Sequence, residues 1–207
     1  MEKNAISKAT LGRLPMYLDY LNKLSLEQTP YISATIIAKA LCLGEVQVRK
    51  DLSRVSGKGR PKVGYVTREL IQSLEDCLGN DQPTNAVIVG AGKLGKALLH
   101  YDDFEAYGVS IVAAFDHKTE PVQNDCTKPI LPMEQLEEYC LANQVRIGII
   151  TVAEDAAQDV CDKMIECGIK AIWNFAPSRL HVPEGVAVKH EVLAVSLAHL
   201  NSQLVTM

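Results

Sequence analysis

Three glycines and one aspartate are the residues whose types and spacing suggest chemistry most directly. Gly90-Ala91-Gly92-Lys93-Leu94-Gly95 follows the apolar run Ala86–Val89 and leads into Ala97-Leu98-Leu99, and a second apolar run, Val109–Phe115, ends on Asp116. Strand, glycine-rich turn, helix, strand and acid in that order form the pattern of a dinucleotide-binding βαβ unit. Gly90 permits the tight turn out of the first strand. Gly92 has no Cβ, so a pyrophosphate can approach the backbone, and Gly95 lets the helix lie close to the strand. The turn and helix start, residues 90–95, offer N–H groups and a positive dipole end to phosphate. Asp116 stands where a carboxylate accepts hydrogen bonds from an adenosine ribose, and its charge favours NAD(H) over a 2′-phosphorylated dinucleotide. The alternative is a βαβ unit whose glycines serve packing alone.

The elements that must position this turn follow it. Pro129-Ile130-Leu131 reads as a short strand, Met133–Ala142 as a helix and Val145–Val152 as a strand buried on both faces. Glu154–Cys167 reads as a helix closed by Gly168, Ile169–Phe175 as a further strand and Gly185–Lys189 as a last one. Alternating strands and helices imply an α/β fold with an open, Rossmann-like parallel sheet. Ligands on such sheets lie at the carboxyl ends of the strands. That places Thr151, Val152 and Ala153, and likewise Asn174, Phe175 and Ala176, near the cofactor. The tail Glu191–Leu204 carries Leu193, Leu197, Leu200 and Leu204 at heptad-like spacing, a stripe to bury on its own domain or, as favoured here, against a second subunit.

The N-terminal part has a different character. Apolar residues recur at helical spacing through Thr10–Leu24, with Pro15 inside. Ser33 can cap a helix through Ile36, Ile37 and Ala40. The turn Cys42-Leu43-Gly44 leads to a helix over Glu45–Val55, with Val46, Val48, Leu52 and Val55 inward. Two short helices joined by such a turn fit a helix-turn-helix. Outside the third helix lie Gln47, Arg49, Lys50, Ser53 and Arg54. Ser56–Val66, with Lys58, Arg60 and Lys62, reads as a basic, glycine-rich wing, and a helix over Thr67–Leu78 closes the winged helix. Arg49 to Lys62 holds six basic residues against one acid, Asp51. Such a cluster neutralises phosphates, and Arg and Lys on a recognition helix reach guanine edges in the major groove of double-stranded DNA. The plainer alternative is a solvated basic face.

Charge and composition agree with this division. Residues 1–80 hold 12 Lys/Arg against 8 Asp/Glu, and the remainder holds 9 against 17. A basic N-terminal third beside an acidic remainder suggests a module with an anionic partner. Gly79–Thr84 is the best linker, giving a winged-helix domain over 1–79 and an NAD(H)-binding domain over 84–207, with a dimerisation helix over 190–205. No apolar run reaches the ~20 residues of a membrane span, and the N-terminus lacks a signal-peptide core. A cytoplasmic protein is expected. Cys42, Cys77, Cys126, Cys140, Cys161 and Cys167 show neither C-x-x-C nor paired-His spacing, so neither zinc nor structural disulfides are expected.

A basic winged helix, an NAD-type sheet and an apolar terminal helix together resemble the Rex family of redox-sensing transcriptional repressors. The likeness spans nearly the whole chain. It is carried by Lys8-Ala9-Thr10 with Arg13-Leu14-Pro15, by Gln47-Val48-Arg49-Lys50-Asp51-Leu52-Ser53 and by Val63-Gly64-Tyr65. Gly90–Gly95, Ala113-Ala114-Phe115-Asp116, Asn174-Phe175-Ala176-Pro177 and Val182-Pro183-Glu184-Gly185 carry the rest. The resemblance implies a homodimer on a pseudo-palindromic operator, released when NADH binds. It implies a terminal helix exchanged between subunits, facing nicotinamide pockets, Arg49 and Lys50 in the major groove and the wing in the minor groove. This chain departs from the pattern. Arg54-Val55-Ser56 and Lys58 stand where aromatic residues are usual, and Ala153 replaces a Pro. Of the family's Arg–Tyr–Asp switch, Tyr101 remains, while Asp19 and Val192 replace its partners. The resemblance is to a divergent paralogue without the salt-bridged switch.

Two alternatives stand beside a DNA-binding NAD(H) sensor. One is an enzyme on the same sheet, an NAD-dependent oxidoreductase or a CoA-binding enzyme. Little chain is left for a substrate domain beyond Phe175, His181, His190 and His199 lack evident acid partners, and no catalytic residue is assigned. The other is a DNA-binding protein with a structural, non-switching dinucleotide.

Overall fold

The computed structural model describes residues 6–79, 83–117 and 128–204. Cys126, most of the polar segment His117–Thr127 and positions 80–82 of the linker lie outside them. Contacts divide the chain into two compact units, Met1–Gln82 and Pro83–Met207.

The first unit is a helical bundle with a small two-stranded sheet. Its elements are α1 (Lys8–Leu11), α2 (Leu14–Asn22), β1 (Tyr31–Ile32), α3 (Ala34–Ala40), α4 (Glu45–Ser56), β2 (Tyr65–Val66) and α5 (Thr67–Leu78). The helix expected over Thr10–Leu24 is two helices, broken at Gly12-Arg13. Pro15 has no N–H to give to the turn before it, so the helix restarts with Pro15 in its first turn. Ser33 caps α3, its hydroxyl accepting from the Ile36 N–H at 3.2 Å. In the turn between α3 and α4 the left-handed residue is Cys42 (φ 54°), whereas Gly44 is extended. The core joins Leu14, Tyr17, Leu21, Ile32, Ile37, Val48, Leu52, Leu70 and Leu74.

α4 is rotated from the expected register. It buries Val48, Asp51 and Leu52. Val46, assigned inward above, is 63% exposed, and Val55 is only partly buried. The buried positions follow the i, i+3, i+4 helical spacing, and Val46 lies outside that stripe. Beyond α4, Arg60 and Gly64 pair as an antiparallel bridge with Lys62 left-handed between them, and β2 returns to pair with β1.

The second unit is an α/β sandwich. Its strands are β3 (Thr84–Val89), β4 (Val109–Asp116), β5 (Ile130–Pro132), β6 (Ile147–Ile150), β7 (Ala171–Asn174) and β8 (Ala187–His190). They form one parallel sheet in the order β5-β4-β3-β6-β7-β8. This is the doubly wound order of dinucleotide-binding sheets, reversing between β3 and β6. α6 (Lys93–Leu99) follows β3, and α7 (Leu136–Ala142) and α8 (Ala157–Glu166) follow β5 and β6. α7 and α8 each start from a short 3-10 turn. One apolar cluster joins Val87, Phe115, Leu136, Ile150 and Met164, and another joins Ile88, Leu99, Ile111 and Ile149.

α9 (Leu193–Leu204) has no buried residue on the single chain. Leu193, Leu197, Leu200 and Leu204 are each more than half exposed. Among the described residues, no helix is long and apolar enough to cross a membrane.

The register of α4 predicts a contrast. Leu52→Ala should cost about 2–5 kcal/mol of stability by opening a cavity, and Val46→Ala should stay within about 0.5 kcal/mol. Thermal unfolding of the two variants checks it; equal losses would restore the expected register.

Candidate functional site

In the second unit the chain makes its own glycine-rich turn rigid. Gly90 has φ 104°, and its N–H donates to the Phe115 carbonyl at 2.8 Å. Thr151, just past β6, donates its hydroxyl to the Gly90 carbonyl at 2.6 Å. A Cβ on Gly90 would stand 2.9 Å from the Thr151 backbone. A Cβ on Gly95 would stand 1.9 Å from the Gly90 carbonyl oxygen, so only glycine lets α6 start this close to the turn. Gly92 differs: φ is −72° and a Cβ there meets nothing within 4 Å. The packing of the chain itself does not require that glycine, and the space it leaves suits a group brought from outside.

Asp116 ends β4 beside this turn. Its Oδ2 accepts the Ala91 N–H at 2.7 Å, so the carboxylate expected at a ribose also braces the turn. The sheet order β3-β6-β7 brings Gly90, Thr151, Val152, Asn174 and Phe175 to adjacent strand ends. Lys93 is exposed and Leu94 partly buried. The Asn174 side chain is committed elsewhere. It is buried, donates to the Ala176 and Ser178 carbonyls and accepts from the Ala176 N–H. Its place is that of a clamp on the loop after β7.

Tyr101 is half exposed and heads a row of aromatic rings. It meets Phe104 edge-on at 4.9 Å, Phe104 meets Trp173 at 5.9 Å, and Trp173 meets Phe175 at 4.4 Å. The two pairs, Tyr101 with Phe104 and Trp173 with Phe175, lie about seventy positions apart in the chain, and nothing in the local sequence pattern joins them. Burial raises the Cys140 and Cys161 thiols to about 12 and about 11, leaving little reactive thiolate near neutral pH. Among the described residues, no group of three or more His, Cys, Asp or Glu could hold a metal ion.

In the first unit α4 presents Gln47, Arg49, Lys50 and Arg54 to solvent, with Ser53 half-buried and bonded to the Lys50 carbonyl. Arg49 pairs with Glu45 one turn back. Arg49, Lys50, Ser53, Lys58, Arg60 and Lys62 line one groove of about 580 Å³ that includes no carboxylate. Gln47 and Arg54 line a second cleft, of about 460 Å³, with Ser7, Thr10, Arg13, Lys50 and Asp51. All eight expected contact residues therefore gather around α4, in two sets that share Lys50.

Arg13 and Asp51 are partners that no local spacing in the sequence joins. Asp51 is 2% exposed, and Arg13 grips it with Nε–Oδ2 at 2.7 Å and Nη2–Oδ1 at 3.0 Å. Thr10 and Tyr17 donate their hydroxyls to the same carboxylate, each at 2.9 Å. Burial alone would raise the Asp51 carboxyl, but the bonds from Arg13, Tyr17 and Thr10 outweigh it and hold it below the ordinary carboxylate range. Burial and the Asp51 charge push the Tyr17 phenol up to about 12. One sequence signal was present: Asp51 lies in helical phase with Val48 and beside Leu52, on the stripe that faces inward.

Fold and site together define a winged-helix DNA-binding unit joined to a dinucleotide-type α/β unit. Residues 5–53 match the family model described as a putative DNA-binding protein N-terminus, and residues 81–178 match the CoA binding domain. A redox-sensing transcriptional repressor Rex of Porphyromonas gingivalis is 40% identical, over 93% of this chain and 89% of that protein. The solved structure of RSP, in complex with beta-NAD+ and operator DNA, superposes with a TM-score of 0.86 at 33% identity, over 97% of this chain and 93% of that one. The same protein with beta-NADH gives 0.82 at 32% identity, over 97% and 95%. The chain belongs to the Rex family of redox-sensing transcriptional repressors. It is a family of repressors and not of enzymes, which removes the oxidoreductase and CoA-enzyme alternatives.

The Asp51 cluster predicts a pH profile for the first unit. A depressed carboxyl contributes stability above its unfolded pKa of about 4, lost as pH falls through the lower folded value. A raised phenol contributes below its unfolded pKa of about 10 and loses this as pH rises towards the folded value. Melting temperature should therefore fall on both sides. Asp51→Asn should lower the plateau and flatten the acid limb; an acid limb unchanged by that substitution would contradict the assignment.

Proposed function

We propose that this chain is a transcriptional repressor that binds operator DNA as a homodimer and reads the NADH/NAD state, NADH promoting release. One observation carries this: a groove whose charged lining residues are all cations and a glycine turn left open at Gly92 occur on one polypeptide. On this reading residues 1–79 form the DNA-binding domain and 84–207 the NAD(H)-binding domain. Arg49 and Lys50 enter the major groove with Gln47, Ser53 and Arg54 beside them, and Lys58, Arg60 and Lys62 follow the phosphates. Residues 90–95 take the pyrophosphate, Asp116 the ribose, and Thr151, Val152, Asn174 and Phe175 shape the far side, Thr151 and Asn174 through the backbone they fix. Two copies bury the α9 stripe, and their two-fold axis matches a pseudo-palindromic operator in the cytoplasm.

A cofactor shifts such a dimer only by binding its two arrangements unequally. A second reading, a dinucleotide that binds without switching, draws on Asp19. It stands where the family's switch Arg is usual and pairs at 2.7 Å with Lys23, the residue that caps the end of its helix. Titrating operator complexes with NADH and with NAD separates the two: release by NADH supports the sensor, and no effect of either nucleotide at millimolar concentration supports the second reading.

The site assignments predict separable variants. Arg49→Ala should weaken operator binding about 5- to 100-fold, as loss of a base-edge contact does, with NADH affinity unchanged. Gly92→Val should abolish NADH binding and keep DNA binding. Gel-shift and calorimetric titrations check both; NADH binding intact in the Gly92 variant would remove the turn from the site.

A further inference from the structure

We propose that Asp51 and Arg13 are positioning residues for DNA recognition, setting the side chains of Gln47 and Arg54 through one hydrogen-bonded chain centred on the buried Asp51. This rests on reading the first unit as the DNA-binding domain. Gln47 and Arg54 lie four residues before and three after Asp51, so all three share one face of α4. From Asp51 the chain runs both ways. In one direction Arg13 meets Gln47: with the amide oxygen facing the guanidinium, Gln47 accepts from Nη1 at 3.2 Å and shares with Asp51 the single Nε–H, whose nitrogen lies 2.9 Å away. That leaves the Gln47 NH2 group for an acceptor beyond the protein. In the other direction Thr10, itself 1% exposed, donates to Asp51 and accepts from Arg54 Nη1 at 3.3 Å.

Helical phase explains the arrangement. Lys50 lies opposite the buried stripe of α4, at the apex of the helix. The wing groove, with Arg49 and Ser53, opens on one side of it, and the cleft holding Gln47 and Arg54 opens on the other. On the wing side Arg49 pairs with Glu45 one turn back along α4, and among the described residues no carboxylate lines the groove. In the cleft, Arg13 has its charge matched by Asp51, so the outward cations are Lys50 and Arg54. A helix seated in a major groove has a phosphate backbone on each side, and this cleft fits the second. Side chains already held in place lose less freedom on binding, so the brace should favour the correct sequence rather than DNA in general.

The test uses the full chain and two probes, a duplex that it selects from a random pool and a scrambled duplex of the same composition. Asp51→Asn should lower affinity for the selected duplex about tenfold and for the scrambled one less than about twofold, with NADH affinity unchanged. Arg54→Ala should cost about fivefold in the wild-type chain and less than about twofold beside Asp51→Asn, because the two act as one unit. If Asp51→Asn fails to fold, Thr10→Val takes its place in the same cycle, with Thr10→Ser restoring affinity. Losses that multiply, or that fall equally on both duplexes, would overturn the positioning role. A wild-type chain that selects no duplex would instead overturn the DNA-binding reading.

Discussion

A carboxylate with almost no exposed surface is tolerable only if its charge is matched. Asp51 is such a group, in the middle of the helix that carries the basic face. An unpaired ion there would cost several kcal/mol, and the partners that remove this cost come from elsewhere: Thr10 in α1, Arg13 at the break before α2, and Tyr17 within α2. Meeting that one demand fixes three helices against each other. It also alters the charge seen from outside. Counted along the sequence, Asp51 offsets one of the six cations between Arg49 and Lys62. In the fold it turns inward and offsets Arg13, so the wing groove is left with cations and no carboxylate.

The second unit meets a comparable demand with space rather than charge. The Gly90 carbonyl must accommodate both the Thr151 hydroxyl and the start of α6, and any side chain at Gly95 would meet that oxygen. Phe115 and Asp116 from β4 hold the same turn from the other side. Groups from three adjacent strands thus fix its shape before any ligand arrives, at the point where the strand order reverses. A turn fixed in this way has little ordering left to lose on binding. Gly92 is the position these contacts do not use.

The parts legible in the sequence are those governed by local pattern. β3, its turn, α6 and β4 fall where the glycines and the apolar runs put them, because strand periodicity and turn chemistry act over a few residues. Strand ends were shorter than the apolar runs. Val145 and Val152 are apolar but flank β6, serving the core from loops. What escaped was non-local or polar and inward. The Arg13–Asp51 pair spans 38 positions and the aromatic row from Tyr101 to Phe175 spans more. Asn174 ends β7 at the edge expected to face the cofactor, and local pattern does not reveal where its side chain is bonded. Its burial and its bonds to Ala176 and Ser178 give it a role inside the loop. Val46 is apolar yet points outward, because the inward phase of α4 is occupied by Asp51.

The same distinction bears on how a nucleotide signal could reach DNA in this chain. An ionic link requires charges at both ends, and position 192 carries valine while Asp19 is engaged by Lys23. What the chain has in quantity is apolar surface: the α9 leucines, more than half exposed on the single chain, and the ring row that begins at the half-exposed Tyr101. Exposed apolar side chains of this kind fit an interaction surface, and in the proposed dimer burying them differently in two arrangements would supply a free-energy difference without any ion pair. Such a difference follows area and not ionic strength, whereas the attraction of the α4 groove for phosphate falls steeply with salt. In the proposed sensor the two halves therefore rest on different physics. Charge sets how tightly DNA is held, and apolar burial sets how much a nucleotide can alter that hold.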